Sequence, residues 1–144
     1  MARVFVSGSF DMLHSGHVTF LKEVAKYGDL FVGIGSDYSI EKYKGKPPVC
    51  NEDERLFMVR AIRWVTEAWI NTGEGPVDFM EDIEHTYPDI LVVNEDQHTE
   101  EKAVLCKELG IEYVILQRTQ EPGLPARSTT DMRRFIEFDK DYGL

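Results

Sequence analysis

The sequence predicts an α/β fold: a Rossmann-like, three-layer, doubly wound parallel sheet of about five strands. Two observations carry this. Short apolar runs alternate with segments of helical periodicity along the whole chain. The runs are also nearly continuous in apolar residues, as strands buried on both faces are, rather than alternating apolar and polar.

The elements follow in order. Arg3 to Ser7 is the first strand, and Val18, Leu21, Val24 and Ala25 then recur at helical spacing. "LFVGIGS" (30–36) is the second strand. "DYSIEKYKGKPPVCN" (37–51), polar with two prolines and three lysines, reads as a connecting loop, mobile in part. "EDERLFMVRAIRWV" (52–65) is a helix, "EAWIN" (67–71) a strand, and "VDFMEDIEHTY" (77–87) a helix that stops before Pro88. "DILVVN" (89–94) is a strand, "TEEKAVLCKELG" (99–110) a helix ended by Gly110, and "EYVILQ" (112–117) the fifth strand. "STTDMRRFIEF", from Ser128, opens a last helix. The expectation is one domain over residues 1–144, without repeats or low-complexity tracts.

Composition narrows the function. Apolar residues make up 42% and charged residues 29% of 144, as in a soluble globular protein, and no apolar run approaches about 18 residues. The N-terminus lacks the zones of a signal peptide. The two cysteines, Cys50 and Cys106, have no metal-like spacing and read as free thiols. A cytoplasmic protein is expected. A formal net charge of -10 opposes binding to nucleic acid or an anionic membrane. A small phosphorylated ligand remains compatible with that charge where cations are concentrated locally.

In a doubly wound sheet, ligands bind beyond the carboxyl ends of the strands. "GSFDMLHSGH" (8–17) follows the first strand and opens a helix. A helix N-terminus favours phosphate, and His14 and His17 there could donate hydrogen bonds to its oxygens. The plainer reading is that one histidine caps the helix and the other is packed. Lys44 and Lys46 follow the second strand, either closing over phosphates or standing in solvent. Arg63 falls at an otherwise apolar position near a helix end, where it could complement the helix dipole. Arg55 and Arg60 read as surface or structural residues, and His85 and His98 fit no motif. Trp64 and Trp69 read as core or interface residues. Ser128 is a plausible helix cap with Asp131 three residues on.

The stretch "GSFDMLHSGH" resembles the HxGH signature of the cytidylyltransferase-like nucleotidyltransferases. "RAIRWVTEAW", "LQRT" and "RSTTDMRR" resemble further motifs of that family, in its order. Within that family the chain resembles the small bacterial glycerol-3-phosphate cytidylyltransferase group. The resemblance implies an HxGH-type nucleotidyltransferase that moves CMP from CTP to a small phosphorylated acceptor and releases pyrophosphate. Mg²⁺ would accompany the triphosphate, and a homodimer is implied. It further implies that His14, His17 and Lys46 are catalytic. Gly8, Ser9, Phe10, Arg63, Asn94, Asp96, Arg118, Thr119, Ser128 and Thr129 would bind the nucleotide, and Asp11, Lys44 and Arg127 the acceptor; no residue is expected to hold a metal.

The chemistry suits these residue types. In-line attack on the α-phosphorus builds charge on its oxygens, so positioning and preorganised donors do the work. The attacking group is a phosphate, already anionic, and needs no general base. Where the family has Gly-x-Asp after the fourth strand, this chain has Asn94, Glu95 and Asp96. "QEPGLPA" (120–126) is longer than the family pattern, and Arg127 adds a charge suited to an acceptor with an extra anionic group.

The alternative is an adenylyltransferase of the same superfamily acting on a sugar phosphate or flavin phosphate. A non-catalytic nucleotide-binding module is opposed by the full set of motif residues. A dinucleotide-binding dehydrogenase is opposed by the absence of G-x-G-x-x-G after the first strand.

Overall fold

The computed structural model describes residues 1–142, with the side chains of 138–142 left out. Five parallel strands form one sheet: β1 (Arg3–Gly8), β2 (Asp29–Ile34), β3 (Val65–Ile70), β4 (Ile90–Asn94) and β5 (Glu112–Leu116). Their spatial order is β3-β2-β1-β4-β5. The chain first builds outward from β1 through β2 to β3, then returns to lay β4 on the other side of β1. The switch point therefore lies between β1 and β4, and the crevice beyond their carboxyl ends is where such a sheet opens a site.

Strand parity divides the core. Val4, Val6, Leu30, Val32 and Val92 face one way and pack with Leu21 and Val24 of α1 (Ser15–Val24). Phe5, Leu91 and Val93 face the other way and pack with Phe79, Ile83 and Cys106. Ile83 belongs to α4 (Met80–Thr86) and Cys106 to α5 (Glu100–Leu109). The apolar runs are continuous because both faces are covered. Trp69 stacks on Phe5 in this second core, at 5.8 Å between ring centroids.

One expected loop is a helix. Residues Asp37–Lys44 form α2, capped by Ser36, whose hydroxyl accepts from the Ser39 amide, and ended by Gly45 at φ 76°. Its polar composition hid it: only Ser39 and Ile40 are buried. The start and stop signals were nevertheless present in Ser36, Asp37 and Gly45. Two further helices, α3 (Glu52–Arg60) and α6 (Thr129–Tyr142), complete the fold. Among the described residues no helix is long and apolar enough to cross a membrane.

Candidate active site

A cavity of about 810 Å³ opens at the switch point. It is lined by Gly8, Ser9, Phe10 and Asp11 after β1, and by His14 and His17 at the start of α1. Lys44 and Lys46 reach it from the end of α2 and the turn beyond. Asn94 and Asp96 reach it from the end of β4, Arg118, Thr119, Arg127 and Ser128 from the segment between β5 and α6, and Thr129 from the first position of α6. All the expected site residues therefore line one cavity, with the exception of Arg63. That arginine precedes β3, so it lies toward the amino ends of the strands, and its guanidinium stacks over Trp64 at 4.8 Å. A nucleotide role for Arg63 in this cavity is thus corrected.

The two histidines are fixed by backbone bonds. His14 caps α1: its Nδ1 accepts from the Gly16 amide at 3.0 Å. The Nδ1 of His17 accepts from the His14 amide at 3.1 Å. The rings stack, with centroids 3.8 Å apart. An Nδ1 that accepts carries no proton, so each neutral ring holds its proton on Nε2. Burial, then the charge of Arg118 and Arg127, lowers the pKa of His14. Burial, then His14 and Arg118, lowers that of His17 to about 3, although Asp11 pulls the other way. Near neutral pH the pair is two uncharged Nε2–H donors of fixed tautomer. The caps use Nδ1, so the plain reading leaves both Nε2 atoms for the expected contact with a ligand.

The glycine between them has a steric reason. A Cβ on Gly16 would lie 2.8 Å from Cε1 of His14 and 3.2 Å from the Arg127 carbonyl. It lets the histidine ring fold back and the 120–127 segment close over the helix start. Gly8 serves Phe10 in the same way, since a Cβ there would meet the Phe10 ring at 3.0 Å. Phe10 is buried and its ring tilts against His17 at 5.6 Å. Phe10 and Met12 both have positive φ, 53° and 49°, a conformation costing about 1–2 kcal/mol per residue. Flanking bonds hold the turn: Arg55 Nη1 donates to the Ser9 carbonyl, and Thr129 Oγ1 to the Asp11 carbonyl.

Asp11 lines the cavity, but its carboxylate is engaged by the protein. It accepts from the amides of Val49 and Cys50, at 2.7 and 2.9 Å, and from Arg133 at 3.2 Å. Asp11 thus combines its place in the cavity wall with structural contacts to the 47–50 segment and Arg133. Lys44 donates to Ser9 Oγ at 3.0 Å, and burial lowers its pKa. Arg118 pairs with Asp96 at 2.6 Å, both side chains about half exposed. Ser128 Oγ accepts from the Asp131 amide, the expected cap of α6.

Of the two arginines beside the site, Arg55 takes the structural half of its expected surface-or-structural reading, and Arg133 was not singled out from the sequence. Arg55, 1% exposed, is the largest fully buried side chain. Arg133 lines the cavity one helical turn beyond Thr129, an i, i+4 spacing that could have been read from "STTDMRR".

Comparisons with known proteins identify the family and the fold. The sequence pattern described as cytidylyltransferase-like matches residues 5–135. An FAD synthase of Methanocella paludicola is 36% identical over 140 residues, covering 95% of this chain and 97% of its own. An FAD synthase of Aciduliprofundum boonei is 38% identical over 120 residues, covering 81% and 78%. Among solved structures, a lipopolysaccharide core biosynthesis protein from Thermoplasma volcanium superposes with a TM-score of 0.68 at 31% identity, over 84% of this chain and 98% of that one. A putative nicotinate-nucleotide adenylyltransferase from Vibrio parahaemolyticus, 17% identical, shares the fold with a TM-score of 0.54 over 96% and 89%. With its HxGH pair at the switch point and a family match over most of its length, the chain belongs to the cytidylyltransferase-like family and is a nucleotidyltransferase.

Proposed function

We propose that this enzyme is an adenylyltransferase that makes FAD from ATP and FMN. The observation that carries the reading is the near full-length similarity to FAD synthases, at 36% identity over 140 residues. It favours the adenylyl alternative over CMP transfer to glycerol-3-phosphate. The family description itself does not select a base, because the phosphate-binding motifs are common to both.

In this reading a phosphate oxygen of FMN attacks the α-phosphorus of ATP in line. A new P–O–P bond forms, the α–β bond breaks, and pyrophosphate leaves with the displaced electron pair. The Nε2–H groups of His14 and His17 donate to the phosphate oxygens as negative charge grows on them. Lys44, Lys46, Arg118 and Arg127 supply positive charge around the same space. The FMN phosphate is anionic at neutral pH, so no side chain has to remove a proton. Among the described residues no group of three or more His, Cys, Asp or Glu side chains is arranged to hold a metal ion. Of the acids lining the cavity, Asp11 and Asp96 are already paired with arginines. Mg²⁺ would then be held by the triphosphate and water, where it neutralises phosphate charge.

The test supplies each nucleoside triphosphate, with Mg²⁺, to the purified protein together with FMN or glycerol-3-phosphate. Pyrophosphate is measured, and the organic product is separated by chromatography. FAD from ATP and FMN is the expected product. Pyrophosphate release with glycerol-3-phosphate and none with FMN would overturn the reading, and FMN used with CTP in preference to ATP would restrict it to the acceptor.

A further inference from the structure

We propose that Asp11 and Arg133 form a clasp that positions the 44–50 segment, and with it Lys44 and Lys46, over the cavity. The two residues lie 122 positions apart and meet at the mouth of the site. Each end of the clasp grips the segment separately. One Asp11 oxygen accepts from the Val49 amide at 2.7 Å and the other from the Cys50 amide at 2.9 Å. Arg133 Nη2 donates both to Asp11 Oδ2, at 3.2 Å, and to the Pro47 carbonyl, at 3.1 Å. Residues 47–50 thus have three polar contacts to these two charged side chains, which also bond to each other, just beyond the two lysines that line the cavity.

The arrangement suits a short segment that cannot hold itself. Residues 45–50 have no helix or strand, and Pro47 and Pro48 have no amide hydrogen to donate. Their shape must come from outside partners. Bonds between amides and a carboxylate are stronger than neutral ones. Burial alone would raise the Asp11 carboxyl, but the amides of Cys50 and Val49 and the Arg133 guanidinium overcome it, and its pKa is lowered. The charged form is therefore the one that the segment holds.

The clasp also joins the two sides of the site. Arg133 is on α6, whose first residue, Thr129, donates to the Asp11 carbonyl at 2.9 Å. The helix start that borders the cavity and the lysine segment thus share one residue. Asp11 and Arg133 act as positioning residues, through the lysines.

The test follows the local bonds directly. Amide hydrogen exchange at Val49 and Cys50 is compared between the parent and Asp11→Asn, with Val6 and Val32 in the sheet as the global reference. Loss of a charge-assisted bond predicts exchange about 10- to 100-fold faster at Val49 and Cys50, with the sheet amides unchanged. Arg133→Met, a change at a partly exposed position, is the second variant and should speed the same two amides. The double variant should be no worse than the more severe single one, because the two substitutions open the same clasp.

The kinetic arm rests on the FAD-forming reading. A loosened lysine segment predicts kcat lower by about 10-fold, with the KM values for ATP and FMN shifting together and by less. Unchanged exchange at Val49 and Cys50 in both variants overturns the clasp. So does faster exchange with unaltered kinetics, or a rise in KM for FMN alone, which would make Asp11 a direct acceptor contact. If the parent makes no FAD, the proposed function fails, and the clasp is judged by exchange alone.

Discussion

On the β1/β2 rim of the cavity, Arg55 is 1% exposed and donates four hydrogen bonds, to the carbonyls of Ser9, Gly35 and Cys50 and to Asp37. On the β4/β5 rim, Arg118 is 51% exposed and its guanidinium holds Asp96, itself 43% exposed. The next tether on that side is Lys22 to Glu121, also at the surface. Buried, fully bonded charges fix geometry, whereas exposed pairs contribute little and are screened by salt. The first rim carries the histidine turn, whose task is the same for any nucleoside triphosphate. The second carries Asn94, Asp96 and the 117–128 segment, which under the proposed function would face the nucleoside. Rigidity is concentrated on the rim that the proposed function gives to the phosphates, and the other rim is held by exposed contacts that a ligand can replace at low cost.

The sharpest break in that comparison is His17→Asn. The asparagine Oδ1 can still accept from the His14 amide, but the Nε2–H donor is lost. Turnover should fall about 10²- to 10³-fold, the scale for one donor to a developing oxyanion, while circular dichroism stays native. Turnover within a few-fold of the parent would remove His17 from the chemistry. The same variant has a pH signature. His17 is held at about 3, against 6.5 for a free side chain. Between those values the unfolded chain binds one more proton than the folded one, so this group costs stability as pH falls from about 6.5 toward about 3. Its slope is at most about 1.4 kcal/mol per pH unit. Asp78, whose pKa burial raises, works in the opposite sense above its unfolded value of 3.8. Urea midpoints across this range should depend less on pH in His17→Asn than in the parent.

Arg55→Lys probes the rigid rim without touching a ligand. An ammonium cannot reproduce the planar fork that bridges three carbonyls and a carboxylate. The expected loss is about 3 kcal/mol of unfolding free energy, in the range for a broken buried charge network, read by urea denaturation. A loss below about 1 kcal/mol would mean that the rim is held by packing instead.

The sequence exposed these two rims unequally. The strands and the HxGH turn were legible because continuous apolar runs and a polar turn leave local patterns. The part played by Arg55 was only half legible, as a choice between surface and structural, because two of its three carbonyl partners, Ser9 and Gly35, come from distant segments. Arg63 misled for a related reason. Its place in a motif is visible in sequence, but whether a residue precedes or follows its strand decides which end of the sheet it occupies. The α2 helix was hidden by its polarity, since most of its side chains face outward and its capping residues were the remaining signal. Asp11 was recognised as a site residue, but its amide partners lie 38 and 39 positions away, and no local pattern foretells them.

The smallest expected effect belongs to Asp96→Asn on the loosely held rim. Stability should change by less than about 0.5 kcal/mol, because an exposed pair is nearly balanced by hydration and side-chain entropy. Binding is another matter. Asp96 lines the cavity just past the end of β4, restrains Arg118 beyond the end of β5, and is an acid expected to bind the nucleotide, under the proposed function through a ribose hydroxyl. Removing its charge both frees the arginine and weakens an acceptor for ribose hydroxyls. The KM for ATP should therefore rise by about 3- to 10-fold, the worth of one hydrogen bond, while the KM for FMN stays unchanged. Raising the salt concentration should weaken the Asp96–Arg118 pair in the parent and move its KM for ATP toward that of the variant. A fall in KM for ATP would reverse the reading. It would show that the pair competes with the triphosphate for Arg118, and that this rim is closed to nucleotide until the pair opens.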